Sequence, residues 1–106
     1  MHYDLVIITS EKLEDQLLDK FNYLILDNNH FLINEYQTNN NIQFDYVIAT
    51  NKNALKNMKL ILNDDLQIIT NYFFQTSEEH IFLIGDNQSP KTLSEQFHHV
   101  LDFLVN

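Results

Sequence analysis

The sequence predicts a three-layer α/β domain built on a partly parallel sheet, with about three helices and one β-hairpin. Short, nearly continuous apolar runs at residues 5–8, 44–50 and 81–84 read as strands buried on both faces. Between and after them, apolar residues recur at three- and four-residue spacing, which marks amphipathic helices. Alternation of this kind places helices on both faces of one sheet. With 106 residues and 44% apolar content, the whole chain, 1–106, makes one such domain.

Each element has its own local warrant. Residues 5–8 form the first strand, and Thr9 or Ser10 offers an N-cap to a helix reaching about Lys20, with Leu13, Leu17, Leu18 and Phe21 on its apolar face. Residues 23–27 are a second apolar run, Asn28-Asn29 a turn, and 30–37 alternate as a strand, so 23–37 reads as the hairpin. The Asn39-Asn40-Asn41 run is an exposed loop, and the strand at 44–50 is central in the sheet. Ala54, Leu55, Met58 and Ile61 share one face of a second helix that ends at Asn63-Asp64-Asp65. Residues 66–71 and 81–84 are further strands, separated by an irregular stretch that carries Phe73 and Phe74. The last helix opens at Pro90, whose fixed φ suits a first turn, and lines up Leu93, Phe97, Val100, Leu101 and Leu104.

Composition excludes several kinds of chemistry. Without cysteine there is no disulfide, thiolate metal site or thiol nucleophile. A single glycine, Gly85, cannot build the glycine-rich loops that bring backbone N–H groups against phosphates. A net charge of -9 with no arginine opposes nucleic-acid binding. Lys52, Lys56 and Lys59, at helical spacing, read as a solvated basic stripe on the second helix. The start lacks a basic and apolar leader and no apolar run reaches the length of a membrane span, so a soluble, cytoplasmic protein with no membrane association is expected.

No catalytic set emerges. No serine sits in a nucleophile elbow, and the acid pairs Asp64-Asp65 and Glu78-Glu79 read as turns whose neighbouring side chains diverge. Glu95, His98, His99 and Asp102 follow helical spacing, but adjacent histidines point about 100° apart, and this face reads as solvated rather than metal-binding. The strand end at Gly85-Asp86, just before a helix, is where an open α/β sheet places ligands.

Thr76-Ser77 followed by Ile81-Phe82-Leu83-Ile84-Gly85-Asp86 resembles the closing motif of pyridine nucleotide-disulfide oxidoreductases of the thioredoxin reductase type. Asp45-Tyr46-Val47-Ile48-Ala49-Thr50-Asn51 is similar to that family's D-x-V-I-x-A-T-G strand, with Asn51 for the glycine, and Tyr3-Asp4-Leu5-Val6-Ile7-Ile8 resembles its opening strand. The resemblance implies a Rossmann-like fold and places Gly85 and Asp86 beside a flavin, FAD, with Lys91 and Thr92 near its ring. The glycine loop of that family is Thr9-Ser10-Glu11-Lys12 here, and the nicotinamide domain and redox cysteines are missing. Glu11 and Glu14 put negative charge where a pyrophosphate would sit. A shortened, non-catalytic relative acting in protein interaction or regulation is therefore expected, with residues 72–74 as a partner surface if exposed. A flavin- or nucleotide-binding redox accessory domain is the alternative.

Overall fold

A computed structural model describes residues 1–27 and 30–106, so the turn expected at Asn28-Asn29 lies outside the described residues. Among the described residues the fold is mixed α/β, a mixed sheet of six strands with one α-helix. Strands β1 (His2–Ile8), β2 (Tyr23–Leu26), β5 (Gln43–Ala49) and β6 (Ile81–Leu83) run parallel in the order β2-β1-β5-β6. Helix α1 spans Leu93–Val105. The short strands β3 (Ile33–Asn34) and β4 (Gln37–Thr38) form an antiparallel pair, and β4 joins the start of β5 at Gln37–Gln43. β4 and β6 thus share one side of β5, one at each end.

The pleat divides the apolar runs between two clusters. Leu5, Ile7, Ile48, Phe82 and Ile84 point to the face covered by α1 and by Leu13 and Leu18. Val6, Ile8, Val47, Ala49, Ile81 and Leu83 point to the other, against Ile33, Ala54 and Leu55. Strands buried on both sides have no polar alternation to show, which is why they read as continuous runs. In the parallel register Val6 lies opposite Val47, and Val47 opposite Ile81.

The expected hairpin at 23–37 does not form. Residues 23–26 pair with β1 in parallel at one sheet edge, while the tight antiparallel pair is 33–38, on the far side of β5. Alternation reveals which residues face a core, but not which strand they pair with.

Only the last of the three expected helices is an α-helix, and the cause is local. Thr9 Oγ1 accepts the Glu11 N–H at 2.9 Å, and Asp15 Oδ1 accepts that of Leu17 at 2.9 Å, so the first helix shrinks to a 3₁₀ turn, Gln16–Lys20, capped by Asp15 rather than Thr9 or Ser10. Asn51 likewise caps a 3₁₀ turn at Lys52–Leu55 in place of the second helix. Side chains that bond nearby backbone offer the chain an alternative to helical bonds. The apolar residues still reach their cores, as Leu13, Leu18 and Leu55 show. The last helix begins at Leu93 with Thr92 as N-cap, three residues beyond the expected Pro90.

The strand expected at 66–71 is replaced by two copies of one turn. Asn63 Oδ1 accepts the N–H groups of Asp65 and Gln67 while its Nδ2 donates to Gln67 Oε1; Asn71 does the same with Phe73, Gln75 and Gln75 Oε1. Each turn needs a left-handed residue before its glutamine, supplied by Leu66 (φ 61) and Phe74 (φ 64). Phe74 is buried in the α1-side cluster, whereas Leu66 is 74% exposed. A left-handed leucine costs roughly 1–2 kcal/mol, and asparagine tolerates that backbone better. Leu66→Asn is therefore expected to raise stability by about 0.5–1 kcal/mol in urea unfolding; a loss would contradict the turn geometry.

Candidate functional site

The parallel strands end together at Ile8, Ala49 and Leu83, and their following loops form one edge of the molecule. The order β2-β1-β5-β6 reverses direction between β1 and β5, and open α/β sheets bind ligands outside the carboxyl ends at such a reversal. There, Thr50 Oγ1 donates to Thr9 Oγ1 at 2.9 Å, closing the gap between the two loops. On the β5–β6 side of this edge, away from the β1–β5 reversal, lies a cavity of about 350 Å³ lined by Lys52, Leu83, Asp86, Asn87 and Gln88 and by Asn63, Gln67, Ile68, Ile69 and Thr70. That is near the lower end of the roughly 300–1,000 Å³ occupied by small-ligand sites. The Lys52 N–H donates to Asp86 Oδ2 at 3.3 Å, which holds the carboxylate toward the cavity wall. The lining carries four side-chain amides, one ammonium and one carboxylate beside apolar Ile68, Ile69 and Leu83, with no nucleophile paired to a base; the Asn63 and Asn87 amides are already bonded within the chain.

The four residues expected beside a flavin divide. Asp86 lines the cavity; Gly85, Lys91 and Thr92 do not. Gly85 has φ +81, and a Cβ there would stand 2.8 Å from Leu93 Cδ1, so its missing side chain serves the packing of the loop against α1. Its N–H donates to Gln96 Oε1 at 2.9 Å, which also accepts from Asn87 Nδ2 at 2.8 Å, while Gln96 Nε2 donates to the Lys91 carbonyl at 2.9 Å. Gln96 is 3% exposed and polar. The apolar periodicity of α1 passed over it, although a glutamine next to Phe97 at a core-facing position was the available signal.

Thr92 and Glu95 form a reciprocal capping box, with Glu95 Oε1 accepting the Thr92 N–H at 2.9 Å and Thr92 Oγ1 accepting the Glu95 N–H at 3.2 Å. The helix end that faces the ring in the flavin family thus carries its own carboxylate. Hydrogen bonds from the Thr92 backbone and then its side chain, with Lys91 adding attraction, hold the Glu95 carboxyl below its ordinary value. A depressed folded-state pKa adds stability above the unfolded value, and that stability is lost as pH falls through the folded one. The expected result is that Glu95→Gln, which can still accept the Thr92 bond, flattens the acid limb of the stability curve relative to wild type. An unchanged limb would contradict it.

The histidines fill structural places. His98 Nδ1 bonds Asp15 Oδ2 at 2.8 Å, and His80 Nε2 meets the Glu35 carbonyl at 2.9 Å with its ring stacked on Tyr36. His99, expected on a solvated face, instead packs among Tyr72, Phe73 and Phe74 with Nε2 buried and unbonded. No group of three or more metal-ligating side chains occurs among the described residues. Of residues 72–74, Tyr72 is 73% exposed, Phe73 half-buried and Phe74 buried. The lysines expected on a helix face stand instead around a groove over the Lys52–Leu55 turn. No helix among the described residues is long and apolar enough to cross a membrane. Comparison with protein-family models, with characterised proteins and with solved structures finds no match for the chain.

Proposed function

We propose that this chain is a non-catalytic α/β domain that acts through protein contacts. One observation carries the reading. Of the eleven large apolar side chains exposed among the described residues, five (Ile61, Leu62, Leu66, Ile69 and Tyr72) fall within a twelve-residue stretch of the long β5–β6 connection. Exposed apolar groups concentrated in one connection favour association, because covering them removes apolar surface from water. Relation to the flavin domains of thioredoxin reductase-like proteins, and a Rossmann-like reading of the sheet, belong to the same proposal. The three strands that carry the resemblance lie side by side as β1, β5 and β6. The internal bonds of Gly85 and Thr92 favour a scaffold kept without its cofactor. A cytoplasmic setting without nucleic-acid partners fits the absence of cysteine and the charge of -9.

The test has two arms. FAD and FMN are expected neither to lose fluorescence on addition of the protein nor to raise its Tm. Affinity capture from extract of the native organism is expected to retain a partner on wild type and lose it with Leu66→Asn, Ile69→Ser and Tyr72→Ser combined. Retention unchanged by those substitutions would overturn the reading. The cavity at Asp86 favours a second reading, a small polar ligand or flavin held at the strand edge. Stoichiometric flavin released by Asp86→Ala would establish it over the first.

A further inference from the structure

A groove of about 560 Å³ lies over the Lys52–Leu55 turn and the segment after it. Its apolar lining includes Met58, Leu62 and Leu66, and Lys52, Lys56 and Lys59 stand around it. We propose that this groove docks an acidic, amphipathic segment of a partner protein. The proposal rests on the reading of the chain as an interaction domain and narrows it to one surface and one partner chemistry.

Charge makes the choice of occupant. The chain has six lysines against fifteen acids, no arginine, and three of the six lysines line this one groove. Elsewhere Lys12 is paired with Glu14 at 3.4 Å, whereas no carboxylate lies within ion-pair distance of the Lys52, Lys56 or Lys59 ammonium among the described residues. Asp64 and Asp65 share a turn with Leu66 but do not line the groove. A local positive rim on an acidic body attracts acidic partners; the acidic surface of a second copy would be attracted too, which the sedimentation experiment below distinguishes. The apolar lining then requires a ligand with an apolar stripe, which an amphipathic helix laid in a groove provides. Nucleic acid would want arginine and aromatic platforms, and the lining has neither.

Leu66 adds an independent argument. It is a leucine held at φ 61 and 74% exposed, so its side chain strains the backbone without burial in return. An apolar anchor for a bound partner gives that side chain a use, since a few central apolar residues dominate interface energy.

The probe is a fluorescein-labelled helical peptide with leucines at i, i+3, i+4 and i+7 and glutamates on the flanks, followed by anisotropy. Saturable binding is expected, weakened about tenfold by Leu66→Asn and about fivefold by Lys56→Glu. It should also weaken as salt rises from about 50 mM to about 500 mM. Leu66→Asn is the informative variant, because it is expected to stabilise the fold while harming binding. Amide shifts on peptide addition should map to the groove. Absence of saturable binding, affinity of both variants equal to that of wild type, or shifts mapping elsewhere overturns the proposal. So does self-association through the groove in sedimentation, or binding to phosphatidylcholine–phosphatidylserine vesicles in place of the peptide. If the peptide fails while capture by wild type, lost in the triple variant, persists, the groove is wrong and the interaction reading stands; flavin binding lost on Asp86→Ala would remove that reading itself.

Discussion

Replacing Phe97 by alanine is expected to lower stability by about 3–5 kcal/mol, a large share of the roughly 5–15 kcal/mol that holds a domain together. Phe97 is fully buried in the cluster with Leu5, Ile7, Ile48 and Phe82. Helix α1 is the one α-helix among the described residues, and it covers this sheet face nearly alone, joined by the 3₁₀ turn at Gln16–Lys20. The strands beneath are fixed by their ladder, so the space left by the ring has little means of closing. Urea unfolding measures the effect as a fall in midpoint at constant slope. A loss below about 1 kcal/mol would mean that α1 is not docked as described.

Gln96→Ala is expected to cost about 1–3 kcal/mol, because it removes three part-buried hydrogen bonds at once. The amide joins three points of the β6–α1 loop, the Gly85 N–H, the Asn87 amide and the Lys91 carbonyl, to the first turn of the helix. Gln96→Leu is the decisive control, since it keeps most of the volume and removes every bond. Stability equal to wild type in that variant would show that packing alone holds the loop. Faster amide exchange at Gly85 in both variants, without change in β1, would localise the effect to this lock.

The candidate site was legible in part. The strand end at Gly85-Asp86 follows from an apolar run that stops at the one glycine, and the structure places Asp86 on a cavity there. Lys91 and Thr92 follow it in sequence but do not line the cavity: Thr92 caps α1, and the Lys91 carbonyl accepts from Gln96 Nε2. Nothing local announces Asn63 and Gln67 as the opposite wall, because they arrive through a turn whose left-handed residue is a leucine rather than a glycine. The lysines at 52, 56 and 59 are visible as a cluster. Their position around an apolar groove is not, because it depends on the failure of the helix expected to carry them.

Apolar continuity, composition and capping are written in the chain itself, and they settle a definite part of the molecule. Strands β1, β5 and β6 and helix α1 stand close to where their side-chain patterns put them, and the missing cysteines and glycines bar thiol chemistry and phosphate loops. Other features exist only once the chain is folded: residues 23–26 pair in parallel with β1, Gln96 clasps Gly85, and a particular set of polar groups meets at the strand edge. The reason is physical. Burial periodicity is a property of one segment, whereas strand pairing joins residues far apart in the chain. Where Thr9, Asp15, Asn51, Asn63 and Asn71 bond their own neighbours, side chains that periodicity counts as neutral decide the backbone.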